Sequence, residues 1–198
     1  MYKIVLATAN PNKVKEINAI TQSLGVEFVL SPEGFDPVED GETFEQNALI
    51  KAKEANRLTN MPALADDSGL CVDALDGKPG IYSCRYAHTP QARIEKLLNE
   101  LKDVPFEKRG AKFVCAMVLL DKNGDVIFSD KGECFGKIGF EAKGQNGFGY
   151  DPVFIVDGNN LTMAELSAEE KNKISHRAAA LNKVINFLRT NNFPEALI

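Results

Sequence analysis

The stretch PALADDSGLCVDALDG, Pro62–Gly77, joins an apolar run to a segment rich in aspartate and glycine. The apolar run at residues 63–65 is typical of a buried β-strand, and two adjacent carboxylates, Asp66 and Asp67, follow it at once. Neighbouring negative charges repel each other, and each resists burial unless something pairs with it. A metal ion, a hydrogen-bonding backbone or solvent could each satisfy them, so the surrounding sequence has to distinguish these alternatives.

Composition and charge limit the classes of protein to which the chain can belong. Its 198 residues, 44% hydrophobic and 26% charged, suit a single globular domain over residues 1–198 with a substantial core. The formal net charge is -5, which argues against nucleic acid as a partner, because neutralising phosphates needs a broad basic surface. A small anionic ligand remains compatible with this charge, since a pocket can be basic within an acidic chain.

Sequence features also predict where the protein works. We see neither a signal-peptide pattern nor an apolar run of membrane-spanning length, so we expect a cytoplasmic protein without a membrane partner. The cysteines are widely spaced and form no CxxC pair, which favours reduced thiols. A zinc site is not expected, because ligand pairs at short spacing are missing and there are only two histidines.

Periodicity along the chain predicts alternating strands and helices, followed by a β-rich middle and a closing helix. The first half contains predicted strands at residues 3–8, 26–30 and 63–65, with helices from residue 12, over residues 44–58 and from residue 90. Asn123-Gly124 predicts a hairpin in the second half. We therefore expect an α/β protein with a mixed, twisted β-sheet and flanking helices, in two lobes around a central cleft.

Polar clusters fall where these predicted elements begin or end, and each is ambiguous by itself. A βα turn such as the one at residues 8–13 favours anions, and the Gly-rich segment at residues 144–154 allows close backbone approach to a ligand. The most informative cluster is at residues 169–177. If Ser175 caps the last helix, His176 and Arg177 lie in its first turn, where the helix dipole disfavours cations. A bound anion or a hydrogen-bonding ligand would resolve that conflict.

Five motifs in the same order resemble one known family over essentially the whole chain. They are LATANPNK (6–13), EDGETFEQNALIKA (39–52), ALADDSGLCVDALDGKPGIYSCRYA (63–87), GFGYDPVF (147–154) and EEKNKISHR (169–177). Together they resemble the Ham1/RdgB-like inosine triphosphate pyrophosphatases. The resemblance implies hydrolysis of purine nucleoside triphosphates with non-standard bases (ITP, dITP, XTP) to the monophosphate and pyrophosphate. It also implies a two-lobed α/β fold, Mg²⁺ as cofactor and a homodimer.

The resemblance assigns a role to individual residues of this chain. Asp67 is the implied catalytic carboxylate and metal ligand, and Glu39 is the second acid near the metal, with Asp40 and Glu42 as alternatives. Asp66 is expected to support the turn or an outer-sphere water. The implied triphosphate contacts are Thr8, Asn10, Lys13, Lys51 and Ser68. The implied nucleoside contacts are Phe148, Gly149, Tyr150, Asp151, Lys171, His176 and Arg177.

These roles imply a mechanism and leave two rivals. Water would attack the α-phosphorus, Asp67 would orient or deprotonate it, and donors such as Arg177 would favour a 6-oxo base over adenine. One rival is a Maf-like pyrophosphatase for modified pyrimidine or 7-methylguanine nucleotides. The other is a module that senses nucleotides without turnover, which the acidic pair argues against because binding alone needs cations more than carboxylates.

Overall fold

A computed structural model describes residues 2–9, 11–21 and 24–191. The strands are β1 (Tyr2–Leu6), β2 (Val26–Leu30), β3 (Ala63–Val72), β4 (Gly110–Leu120), β5 (Val126–Ile138) and β6 (Phe154–Val156). The helices are α1 (Pro11–Thr21), α2 (Phe44–Thr59), α3 (Pro90–Glu100), α4 (Ala168–Ile174) and α5 (His176–Thr190). Within these ranges no helix has the length and apolar composition needed to cross a membrane.

The strands form one six-stranded sheet in the order β2-β1-β3-β4-β5-β6. Strand β1 pairs in parallel with both β2 and β3, whereas β5 and β6 pair antiparallel. The sheet is therefore mixed, with helices between the strands of its parallel part, which confirms the predicted fold class. The hairpin predicted at Asn123-Gly124 lies between β4 and β5, where Gly124 has a positive φ of 88°.

Strand β3 is longer than the sequence predicts. The expected strand ended before the two aspartates, but the observed strand continues to Val72, so the prediction that Asp66 and Asp67 stand at a strand end is wrong. The strand continues because Leu70 and Val72 are buried in a hydrophobic core. Since successive side chains of a strand point to opposite faces, the two carboxylates do not face each other. Their repulsion is relieved by strand geometry.

The described residues divide into two compact units. The first comprises those within 1–67, 116–131 and 180–198, and the second those within 68–115 and 132–179. In the first unit, Ala48, Ala52 and Ala55 of α2 join strand residues in a core whose small side chains let the helix pack closely. The second unit has its own core, which contains Leu70 and Phe154. The central cleft expected from the sequence stays a prediction.

Candidate active site

Three charged side chains meet in the first unit. The Lys51 Nζ lies 2.9 Å from Asp67 Oδ1 and 3.3 Å from Glu39 Oε2. The side chains of Lys51 and Asp67 are only 12% and 11% exposed, so this ion pair is largely shielded from water. One lysine thus balances two carboxylates that come from separate parts of the sequence, and the sequence-based assignments of Glu39, Lys51 and Asp67 fall in one cluster.

The fold positions each member of this cluster in a different way. Lys51 projects from α2 beside Ala48 and Ala52, whose packing fixes the helix. Asp67 lies three residues beyond Leu64, the last β3 residue paired with β1. Glu39 comes from the irregular segment that leads into α2. The pairing of β1 with β3 therefore ends just before the site and leaves room for polar groups.

Burial and charge shift the pKa values within the cluster. Burial raises the pKa of Asp67 and outweighs the opposing effect of the Lys51 ammonium. Burial also acts to lower the pKa of Lys51, but the charges of Asp67, Asp66 and Glu39 together raise it. The Asn47 amide faces Asp67 and favours its ionised form, although its Nδ2 makes no hydrogen bond of normal geometry. Asp67 is thus a carboxylate with enhanced basicity beside a firmly protonated lysine.

Two buried oxygen atoms remain open to a ligand. Asp67 Oδ2 has no hydrogen-bond partner among the described residues, while its Oδ1 accepts from Lys51. Ser68, the next residue in the chain, also has a buried Oγ for which the described residues supply no partner. A buried polar atom without a partner is unfavourable unless a water molecule, an ion or a substrate completes it.

The turn after β1 is held by a serine from the end of β2. The Thr8 N–H donates to Ser31 Oγ (3.2 Å), and the Ser31 hydroxyl donates to the Leu6 carbonyl (2.9 Å). Thr8 is partly buried there. Asn10 and the side chain of Lys13, both predicted to contact the triphosphate, lie outside the described residues.

A second cluster forms around Asp151 in the second unit. Its Oδ2 accepts hydrogen bonds from the Phe148 N–H (2.8 Å) and from Lys171 Nζ (2.5 Å). The Lys171 Nζ lies 4.8 Å from the centre of the Phe148 ring, and the Arg177 guanidinium carbon lies 5.8 Å from it. Phe148 itself is 66% exposed. The arrangement presents an aromatic face next to two cations, which suits the stacking of a base.

The start of α5 confirms the predicted cap. Ser175 Oγ accepts from the Ala178 N–H (3.2 Å), so His176 and Arg177 stand in the first turn of the helix. The His176 ring is buried and stacks on Phe113, with ring centres 4.9 Å apart and an interplanar angle of 15°. The basic first turn predicted from the sequence is therefore present, with His176 buried and Arg177 half-buried.

Tyr150 has a structural environment that the sequence did not reveal. It is 5% exposed, and its hydroxyl donates to the Ser83 carbonyl (2.9 Å). Burial raises the pKa of Tyr150 well above its ordinary value, so the hydroxyl remains a donor. Direct contacts of Tyr150, Gly149 and buried Asp151 with a nucleoside stay predictions; the hydrogen bonds seen here anchor the loop.

The chain is similar to known proteins over nearly its whole length. Residues 4–187 match the model of the Ham1 family. The chain is 47% identical over 194 residues to a dITP/XTP pyrophosphatase from Bacillus cereus, covering 93% of each chain, and 42% identical over 186 residues to one from Synechocystis, covering 94% of this chain and 95% of the other.

Solved structures agree with these matches. The chain is 40% identical to a HAM1 protein from Coxiella burnetii, with a TM-score of 0.89 and coverage of 96% and 99%. It is also 40% identical to the Ham1 protein of Staphylococcus aureus, with a TM-score of 0.88 and coverage of 96% and 100%. The fold is therefore that of an α/β Ham1 protein. The chain belongs to the Ham1 family.

Proposed function

We propose that this protein hydrolyses purine nucleoside triphosphates with non-standard bases, dITP and XTP among them, to the monophosphate and pyrophosphate. Relatives at 42–47% identity over nearly the whole chain carry the name dITP/XTP pyrophosphatase. The observation that carries the proposal is the Asp67–Lys51–Glu39 cluster, because it joins a buried carboxylate of raised pKa to a cation that can meet phosphate.

Magnesium is the cofactor that fits this cluster. Mg²⁺ is usually held by one or two carboxylates together with substrate phosphates and water. Asp67 Oδ2 is a buried carboxylate oxygen for which the described part of the chain offers no partner, and Glu39 is paired with the same Lys51. Within the described residues no group of three or more His, Cys, Asp or Glu side chains is arranged as a metal cage, so substrate would complete the coordination. When bound, the ion would neutralise charge on the phosphate oxygens.

The side chains of the cluster divide the remaining work. Asp67 accepts the proton of the water that attacks the α-phosphorus, and its raised pKa brings it nearer to the working pH of a general base. The bond from that phosphorus to the leaving pyrophosphate oxygen breaks. Lys51 stays protonated and stabilises the charge that develops on the phosphates. Thr8, Asn10, Lys13 and Ser68 are assigned to the same phosphates.

The cluster around Phe148 is assigned to the nucleoside. Its exposed ring offers a stacking surface, and Arg177 and Lys171 present only hydrogen-bond donors. A 6-oxo group accepts from such donors, whereas the 6-amino group of adenine does not, so hypoxanthine and xanthine are favoured over adenine. Guanine shares the 6-oxo group, so discrimination against GTP requires a separate contact that distinguishes its 2-amino group. We place the protein in the cytoplasm as a homodimer.

A substrate panel tests the proposal. Pyrophosphate release is measured with Mg²⁺ and dITP, XTP, GTP and ATP, and with 7-methylguanine and modified pyrimidine triphosphates for the Maf-like rival. We expect dITP and XTP to give the highest kcat/KM, with no release after Mg²⁺ is removed with EDTA. Preference for a modified pyrimidine would support the rival, and binding of dITP without any release would support a sensing module.

A further inference from the structure

We propose that Asn47 is a positioning residue of the catalytic centre, which orients Asp67 and holds the loop that carries Glu39. The inference rests on the proposed function, in which these two carboxylates are the acids of the site. Asn47 lies on α2 one turn before Lys51, so one face of this helix would supply both the counter-ion and the positioning amide.

One end of the Asn47 side chain fixes the loop. Asn47 is completely buried, at 0% exposure, and its Oδ1 accepts a hydrogen bond from the Gly41 N–H (2.9 Å). A Cβ atom placed on Gly41 would stand 2.7 Å from that same Oδ1, closer than real contacts allow. The loop backbone therefore packs directly on the amide. Glu39 is two residues away, so its approach to Lys51 depends on this contact.

The other end of the side chain is directed at Asp67. Asn47 Nδ2 is buried and faces Asp67, yet it makes no hydrogen bond of normal geometry within the described part of the chain. The buried Oδ2 of Asp67 likewise has no hydrogen-bond partner among the described residues. An amide that is anchored on one side and presents its donors to a reactive carboxylate has the arrangement of groups that orient metal ligands.

A second asparagine of the same helix shows what a structural amide looks like. Asn56 Nδ2 donates to the carbonyl oxygens of Met61 (2.8 Å) and Asp121 (3.1 Å), which ties α2 to the following turn and to the β4–β5 hairpin. Its donors are used for packing contacts, and neither carboxylate of the site is involved. Asn56 is therefore the matched control for Asn47.

The experiment compares Asn47→Ala with Asn56→Ala. We measure binding of Mn²⁺, as a stand-in for Mg²⁺, to the nucleotide-free protein, then kcat and KM for dITP, and the melting temperature. Loss of a group that orients metal ligands typically lowers metal affinity or activity about 10–100-fold, and we expect Asn47→Ala to show this in Mn²⁺ affinity and kcat. Asn56→Ala should lower the melting temperature and leave Mn²⁺ affinity and kcat unchanged.

Gly41→Ala tests the loop contact without altering any polar side chain. We expect it to lower Mn²⁺ affinity and kcat as well, and the Gly41→Ala/Asn47→Ala double variant to lose less than the product of the two single losses, because both changes break one contact. If Asn47→Ala does not fold, Gly41→Ala alone decides.

Two results would overturn the inference. One is a loss of melting temperature alone in Asn47→Ala, as in the control; the other is a Gly41→Ala variant with unchanged Mn²⁺ affinity and kcat. Wild-type protein that releases no pyrophosphate would refute the proposed function, whereas the expected differences in Mn²⁺ affinity would still support the positioning of the two carboxylates.

Discussion

At the scale of single residues, Asp67 is a buried carboxylate that is paired with a cation. It is 9% exposed, which makes its negative charge costly, and it is held 2.9 Å from a lysine that lowers that cost. Asp66 is equally buried but points to the other face of β3. The two adjacent aspartates therefore have different surroundings. Substituting each one in turn tests whether activity depends on the carboxylate beside Lys51 or on either negative charge at this part of β3.

We predict that Asp67→Asn loses at least about 100-fold in kcat for dITP, the scale of general acid–base catalysis, because the amide can neither accept the proton nor hold the metal. The fold should persist, since the amide is nearly isosteric. Steady-state kinetics and circular dichroism check both statements. Asp66→Asn is the control and should retain much more activity; equal losses in the two variants would contradict the role given to Asp67.

We predict that Arg177→Ala lowers kcat/KM for dITP and XTP by about tenfold or more, the range of a charge-assisted hydrogen bond, with a much smaller loss for ATP. The melting temperature should change little or rise, because a cation leaves the positive end of α5. Lys173→Ala is the control: this exposed lysine pairs with Glu169 on the surface of α4, and such pairs contribute little. An equal loss of kcat/KM on all three substrates would indicate that Arg177 contacts the phosphates and not the base.

At the scale of structural elements, the glycine loop depends on how closely its backbone approaches Asp151. Gly147 has a φ of +76°, and a Cβ there would collide with Asp151 Oδ2 and stand 3.0 Å from Lys171 Nζ. Gly149 has a similar φ of +64°, but nothing lies within 4 Å of an added Cβ. Both glycines therefore need a positive φ, but only at Gly147 would an added Cβ meet neighbouring atoms.

This difference gives a prediction for two alanine variants. Gly149→Ala should lose about 1 kcal/mol or slightly more of unfolding free energy, because alanine is strained at positive φ, and Gly147→Ala should lose more, because its Cβ also displaces buried Asp151. Only Gly147→Ala should also raise KM for dITP several-fold, since it displaces the ion pair of Asp151 with Lys171. Chemical denaturation and kinetics measure the two effects. Equal KM values in the two variants would show that the crowding at Gly147 has no part in binding.

At the scale of the whole molecule, the raised pKa of Asp67 links global stability to pH and metal. The folded protein holds the Asp67 proton more tightly than the unfolded chain, so this contribution to stability is present below the ordinary pKa of about 3.9 and is lost as pH rises through the raised value. In EDTA near neutral pH, we therefore expect Asp67→Asn to melt at a higher temperature than the wild type.

Two further measurements complete this prediction. The difference in melting temperature should shrink as the pH is lowered towards about 4, near the ordinary pKa of an aspartate. Added Mg²⁺ should stabilise the wild type more than the variant, because a ligand of the native state raises stability by mass action. A wild type that melts higher than the variant in EDTA would mean that the attraction to Lys51 outweighs the burial of Asp67.

Short-range sequence patterns predicted most of the helices and strands. Thr43, Thr89 and Ser167 cap α2, α3 and α4, and serine and threonine are residues that favour this position. In α2, Gln46 Oε1 accepts a hydrogen bond from the Glu42 N–H. The length of β3 was missed, because Ser68 and Gly69 look like a turn and only the burial of the following residues keeps the chain extended.

The family, the alternation of helices and strands, and the charged residues that are candidates for chemistry can all be predicted from the amino-acid sequence, because these depend on motifs and on contacts a few residues apart. Long-range packing is what brings Lys51 within 3.3 Å of Glu39 and 2.9 Å of Asp67, 12 and 16 residues away, and bonds Tyr150 to Ser83, 67 residues back. Asn47 is the sharpest case. Its spacing from Lys51 is visible in the sequence, but its burial and its bond to Gly41 are not, since both depend on how α2 packs on the sheet.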